Sequence, residues 1–545
     1  MTLWTGPFLP LAALIWPLLL GLSMALPRLR PYALRLLLLA PLPALLLALT
    51  GQEATTGAPE VLLGVTLALT EAGRLLLGMT AGLWLAAGLF AQSMAGGRNL
   101  ALFAGFWCLT LAGNLGVFLA ADVITFYVAF AAVSLAAWVL VVHERTAEAL
   151  RAGRLYILLA VVGEVCLLMG FLIGVQAAES FVIADIRAAL AEAPLRAVAV
   201  ALMVAGFGIK AGMVPLHIWL PLAHPAAPVA ASAVLSGAIV KAGLAGFWLF
   251  LPPGAFAEGL VVLGLAGAFT AALWGVTQIN PKAVLAYSTV SQMGLMLALI
   301  GGGVAPLSVA FYALHHGLAK GALFLSVGAV KGAVGRARWL MLAMAGLAAL
   351  SVAGLPLTGG SAVKVAAKSD LSGALALGVT ATGVTTGLVM AWFLLRLARS
   401  GAGPSHRLVW QRLPVIALAL AALALPWMLW PPGINVAPGY ALSGAALRDG
   451  FWPLAVAAAL VLPAKLFRFA PPVHRPGGML AKLPVRGRPF GGISSIDTGL
   501  AATSALRVAG RVGWLAESVE RALIRWRWSG LGAVMAFLAL TLMMQ

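Results

Sequence analysis

The sequence predicts an all-α polytopic membrane protein, and three observations carry that prediction. Of 545 residues, 62% are hydrophobic and only 9% charged, whereas a water-soluble domain carries about 25% charged residues. Apolar runs of about 20 residues recur from end to end, each long enough to cross roughly 30 Å of hydrocarbon. The basic residues behind the formal net charge of +19 gather in alternate short loops, the pattern of cytoplasmic anchoring.

The apolar runs place helices at about 9–26, 35–50, 75–95, 100–118, 121–142, 153–175, 198–222 and 228–250. They continue at about 257–278, 283–301, 306–330, 338–356, 373–396, 412–430, 452–467 and 529–544. A further, partly broken helical segment fills about 358–370, and 180–197 is a short amphipathic stretch. No run alternates with the two-residue period of a membrane β-barrel. The N-terminal stretch is apolar without a basic leader, so it reads as a first membrane helix rather than a removable signal.

With the N-terminus outside, the inner loops hold Arg28, Arg30 and Arg35; Arg98; Arg145, Arg151 and Arg154; and Lys282. Further on they hold Lys331, Arg336 and Arg338, then Arg396, Arg399, Arg407 and Arg412. The outer loops hold mainly Glu53, Glu60, Glu71, Asp122, Glu179 and Asp370. This asymmetry supports both the number of spans and their orientation. It also assigns the positive charge to membrane anchoring and away from nucleic acid. Residues 468–528 are rich in Arg, Pro and Gly, then turn amphipathic. They read either as an interfacial arm with its basic face toward headgroups or as a docking arm for a partner subunit. One final span follows.

Ionisable groups inside membrane spans cost roughly 2.5–3.5 kcal/mol each and mark functional paths. The middle of the chain holds several. Lys210 lies in the body of a span, and Pro215 interrupts that span five residues on. Pro221, Pro225 and Pro228 prolong the disruption, with His217 and His224 between them. A broken helix at membrane depth is tolerated where it is buried in protein or lines a wet cavity. Lys241 sits in the next span. Lys282 opens a later span, either as an inner-face anchor or as part of the path.

His316 and Lys320 are four residues apart, hence on one helical face. His315 faces elsewhere and reads as a packed, hydrogen-bonded histidine. Pro356 with Gly359 and Gly360 breaks a second helix, and Lys364 and Lys368 follow that break. Paired broken helices are the sequence trace of an inverted repeat, with the transport route at the repeat interface. A buried amine holds its proton less firmly than one in water, and a neighbouring amine weakens the hold further. A row of lysines separated by water can therefore pass protons, but chelates a metal cation poorly. Glu164 is a carboxylate within a span there; it either pairs with Lys210 or faces an interfacial polar pocket. Cys108 and Cys166 lie apart in apolar spans without a metal-ligand pattern. The sequence thus offers no metal site, no cofactor motif and no catalytic site of its own.

The segments KAGxxPxHxWLPxAHPAAPxxxSAxLSGxxxKxG, PKxxLAYSTxSQMG, HxxxKGxLF and GLPxTGG closely resemble the antiporter-like proton-translocating subunits of respiratory complex I, Mrp cation/proton antiporters and group 4 membrane-bound hydrogenases. The resemblance covers roughly residues 60–430. It implies about fourteen core transmembrane helices as two inverted five-helix repeats, the seventh and twelfth broken, with additional C-terminal helices here. It divides the chain into N-terminal helices 1–99, a first repeat 100–250, a second repeat 251–396 and C-terminal membrane helices 397–467. The arm 468–528 and the final span 529–545 complete it.

It further implies a proton path through Lys210, Lys241, His316, Lys320 and Lys364; from the residues themselves, Glu164 joins that path and His217, His224, Lys282 and Lys368 support it. The partners it implies are other membrane subunits of one complex, in a bacterial inner membrane, redox-driven like an NADH dehydrogenase or hydrogenase, or an antiporter. The alternatives are an Mrp-type Na⁺/H⁺ antiporter subunit, and a scaffold or anion-uptake subunit with impaired conduction. Three positions depart from the pattern. Ala131 stands where the family has a glutamate in its fifth helix, Leu222 where it has an acidic residue, and Asn280 where an Asp is common. Glu164, one helix later, is the candidate substitute for the first.

Overall fold

The structure is a computed structural model that describes residues 8–50, 55–58, 60, 64–92, 99–401 and 408–466. The expected arm at 468–528, the final span, and Arg98 and Arg407 lie outside these residues. Helix α1 spans Phe8–Ser23. Helix α2, Arg30–Leu36, runs through a 3-10 turn into α3, Leu42–Thr50. Helices α4, Glu71–Ala91, α5, Leu100–Leu119, α6, Val123–Val141, and α7, Ala147–Ala178, follow. A short α8, Ile183–Ala189, precedes α9, Arg196–Ala211. After a break come α10, Trp219–Ala226, α11, Val229–Val234, a π-helical turn Leu235–Ile239, and α12, Val240–Phe250. Then come α13, Ala257–Gly275, α14, Pro281–Gly301, and α15, Pro306–Lys331. Helix α16, Gly335–Ala353, is separated by a second break from α17, Gly359–Lys368. Helices α18, Gly373–Ala398, α19, Leu408–Met428, and α20, Gly444–Leu466, complete the described bundle.

Thirteen helical segments among the described residues are long and apolar enough to cross a membrane. The chain is a multi-pass integral membrane protein. The 26-residue α15 is not one of the thirteen. His315, His316 and Lys320 dilute its hydropathy, and it tolerates them because protein, not lipid, surrounds it: all three are buried. Helix α14 sits beside it, 94% buried over its most apolar window, whereas α7 is 33% buried over its own. The bundle therefore has a protein-lined centre at α11 to α12, α14 and α15, and an apolar outer face on α7.

The sequence reading found no strand, yet Thr55–Ala58 (β1) and Val65–Ala68 (β2) pair as an antiparallel hairpin. Each strand is only four residues long, too short for alternation to stand out. Asp122 ties this hairpin to the helices. One carboxylate oxygen accepts from Thr66 N and the other caps α6 at Thr125 N, both at 2.7 Å. Asp122 also forms an isolated bridge with Val182, so three loops on the expected outer side form one layer. The helix starts differ from expectation where a polar first turn precedes the apolar run. Thr70 and Thr146 cap α4 and α7 through their hydroxyls, adding a turn to each.

Both expected breaks are present and close alike. At the end of α9, Gly212 adopts φ +73°, and Met213 N bonds Gly208 O at 2.8 Å. At the end of α16, Gly354 adopts φ +93°, and Leu355 N bonds Leu350 O at 3.0 Å. In each, the glycine N–H also bonds three residues back, to Ile209 O and Ser351 O. This left-handed closure favours glycine and terminates a helix, and Pro215 and Pro356 stand just beyond.

Candidate functional site

The candidate site is a set of polar side chains running from α6 to α20, buried from α6 to α15 and more exposed at α17 and α20. At its upstream end, the last turn of α9 carries Lys210, 6% exposed. Its Nζ donates to Ser134 Oγ on α6 at 2.8 Å and lies 5.4 Å from the centre of the Phe130 ring. Ser134 sits one turn after Ala131. Its hydroxyl donates to Phe130 O at 2.8 Å, and Glu164 of α7 lies close by on the same small cavity. Tyr156 OH donates to Ser134 O at 3.0 Å. Lys210, Ser134, Glu164 and Tyr156 line a cavity of about 20 Å³, room for roughly one water.

Glu164 and Lys210 make no direct ion pair within 4 Å; among the described residues only Lys368 and Asp449 do. Both side chains instead line one small cavity together with Ser134. Sequence reading passed over Ser134, although its spacing from Ala131 puts it on the same inward face. On the side of Lys210 toward the expected outer surface, Phe126, Phe130, Phe171, Phe207 and Phe250 form one packed cluster. Ring centres lie 4.5 Å apart for Phe171 and Phe250 and 4.7 Å for Phe126 and Phe250.

In the centre, Lys241 follows the π-helical turn. A π turn loosens the regular carbonyl ladder and is common at functional sites. Lys241 Nζ donates to Ser236 O at 2.8 Å and lies 2.8 Å from His316 Nδ1. His316 Nε2 is buried without a partner. The sequence put His316 and Lys320 on one face, but each turns to a different neighbour, and Lys320 Nζ donates to Leu285 O at 3.1 Å. Ser236 and Thr289 hydroxyls lie 2.7 Å apart. Tyr312 OH donates to Gln292 at 2.8 Å, and Gln292 donates to Thr386 at 3.0 Å, extending the polar row to α18.

His315 is packed and hydrogen-bonded, as read from the sequence. Its Nε2 lies 2.8 Å from Ser351 Oγ, which also accepts from Gly360 N at 3.1 Å. This places α15 against the second break. One turn further, Lys364 Nζ donates to Ala353 O at 2.8 Å, a carbonyl at the end of α16. Lys364 and Lys368 line a cavity of about 490 Å³. The supporting residues scatter. Lys282 Nζ donates to Ala227 O at 2.6 Å, as an anchor would. His217 stacks on Trp274 at 5.2 Å, and His224 on Phe324 at 4.5 Å. Cys108 is buried and Cys166 half-buried. No group of three metal-ligating side chains occurs among the described residues.

A many-span bundle threaded by amines, imidazoles and hydroxyls, with two broken helices on the row, is the build of an antiporter-like membrane subunit. Comparison with known proteins agrees. Residues 120–367 match the family model described as "NADH:quinone oxidoreductase/Mrp antiporter, TM". Hydrogenase-4 component B of Escherichia coli is 32% identical over 255 residues, 43% of this chain and 38% of the relative. NADH-ubiquinone oxidoreductase chain 4 of Metridium senile is 34% identical over 227 residues, 39% of this chain and 45% of the relative. The chain thus spans less than half the length of these relatives. A chain in the structure of the Mrp complex from a Dietzia species aligns with a TM-score of 0.67 at 24% identity. It covers 85% of this chain and 100% of that one, a likeness of fold.

Proposed function

We propose that the chain is a proton-translocating antiporter-like subunit of a multisubunit membrane complex in a bacterial inner membrane. The observation that carries this reading is the contrast between the two ends of the polar row. At Lys210 an aromatic cluster stands between the amine and the expected outer surface. At Lys364 a cavity of about 490 Å³ opens beside the amine. A proton taken up near Lys210 has no polar route straight outward. It moves sideways through Lys241, His316 and Lys320, and leaves by Lys364. Glu164, which shares the small cavity with Lys210 and Ser134, acts at the inner end in place of the carboxylate that Ala131 lacks. Residues 100–250 and 251–396 are then two repeats, a reading favoured by the matching closure of the two breaks.

Movement of Na⁺ through this chain is the weaker reading. Among the described residues the buried carboxylates are Asp122 and Glu164, and Asp122 is spent on two backbone N–H groups. A hard cation needs several such oxygens. The test is proton flux in liposomes holding the full chain with the subunits that copurify in mild detergent. Lys210→Ala and Lys364→Ala should each lower it on the order of 10²-fold. Unchanged flux in both would sink the relay, and Na⁺-dependent flux surviving collapse of the proton gradient would favour the antiporter reading.

A further inference from the structure

We propose that Asp449, on helix α20, is a working part of the outer end of the proton path: the carboxylate that receives protons from Lys364 and releases them to water. This rests on the proposed conduction through Lys364. Helix α20 lies beyond residues 120–367, where the family model matches, so the match does not assign it a role.

Three observations converge on Asp449. First, it makes an ion pair with Lys368 across 81 positions of sequence, Nζ to Oδ2 at 2.6 Å. Lys368 is one turn from Lys364 on the same face of α17. Second, Lys364, Lys368 and Asp449 line the same cavity of about 490 Å³. The lysine of the pair is 20% exposed and the aspartate 54%. The carboxylate therefore stands between the vestibule and bulk water.

Third, the register of α20 is fixed beside it. A Cβ built on Gly450 would lie 2.9 Å from Pro356 Cγ and 3.2 Å from Gly354 O. Only glycine lets α20 seat on the break between α16 and α17 this closely. Pro453 meets Gly383 of α18 in the same manner. Asp449 is thus set over the vestibule by backbone packing on both sides, not by a flexible loop.

The step balances simply. The Lys364 ammonium gives a proton through vestibule water to the Asp449 carboxylate, leaving a neutral amine and a carboxylic acid. The acid then loses that proton to outside water. While Asp449 is ionised its pairing with Lys368 narrows the mouth, and protonation releases that pairing.

The experiment uses the full chain with its copurifying subunits in liposomes. Asp449→Asn keeps the shape but removes the titratable group. Proton flux should fall about tenfold, less than the roughly 10²-fold loss of a main proton-transfer group, and Asp449→Glu should recover most of it. Asp449→Glu as impaired as Asp449→Asn would show a purely structural contact and overturn the proposal, as would normal flux in Asp449→Asn. If normal flux there accompanies lost flux in Lys364→Ala, only the role of Asp449 fails; normal flux in Lys364→Ala removes the underlying conduction reading.

A second measurement does not depend on the Asp449 variants folding. In a Cys108→Ala, Cys166→Ala background, a Ser361→Cys thiol in the vestibule should react with a membrane-impermeant maleimide from outside. It should react faster when Lys368→Gln removes the ion pair. Equal rates with and without the pair, or no labelling from outside, would overturn the proposal.

Discussion

The two broken helices share a backbone device and differ in what they do with it. Both end in a glycine at positive φ with the same pair of closing hydrogen bonds, and both are followed by proline. Yet Lys210 lies before its break, while Lys364 lies after its own. The first amine is held by a serine hydroxyl in a cavity of about 20 Å³, beneath packed phenylalanines. The second is held by a freed carbonyl at the edge of a vestibule of about 490 Å³. The comparison teaches that the break itself is neutral. Which side of it carries the lysine, and what packs opposite, decides whether the end is sealed or open.

Four experiments can break or sharpen that comparison. The largest effect is expected from Lys210→Ala or Lys364→Ala, each lowering proton flux on the order of 10²-fold, as for loss of a main proton-transfer group. A sealed upstream end makes a sharper claim. Phe250→Ser, placed in a Lys364→Ala background, should hydrate the aromatic cluster and restore a leak that no longer needs Lys364. Flux that stays at the Lys364→Ala level would mean the cluster is not the barrier.

Ser134→Ala should come next. It strips the Lys210 amine of its side-chain acceptor, a loss of about 1.5–3 kcal/mol for a hydrogen bond to a charged group. Flux should drop roughly tenfold, and Ser134→Thr should retain most of it. Wild-type flux in Ser134→Ala would show that this hydrogen bond does not matter to conduction. The smallest effect belongs to Gly212→Ala, where an added Cβ would meet only the side-chain tips of Leu220 and Val290. A side chain in the left-handed region costs about 1–2 kcal/mol, so the melting temperature should fall by a few degrees, as thermal unfolding monitored in detergent would report. An unchanged melting temperature would show that the closure carries little of the fold's stability.

Much of this was legible in the sequence. The spans, both breaks, and the presence of Lys210, Lys241, His316 and Lys364 within or beside the spans follow from apolar length, proline and glycine punctuation, and the cost of charge in lipid. The hairpin at 55–68 was not legible, because its strands are four residues each. Nor was the burial of α15 as a polar pillar, since hydropathy counts only what a helix carries and not what surrounds it.

By itself, then, the sequence determined where the chain crosses and which side chains are too costly to be idle. These are local properties, set by residue type and short spacing. Only the tertiary structure decided what each amine touches. Lys210 meets Ser134 across 76 positions, Lys241 meets His316 across 75, and Lys368 meets Asp449 across 81. Such pairings depend on which helix faces pack together, and that depends on the volumes of many side chains at once. The physical reason for the division is range. Transfer from water to lipid is felt residue by residue, whereas a 2.8 Å contact between distant helices exists only once the whole bundle has closed around it.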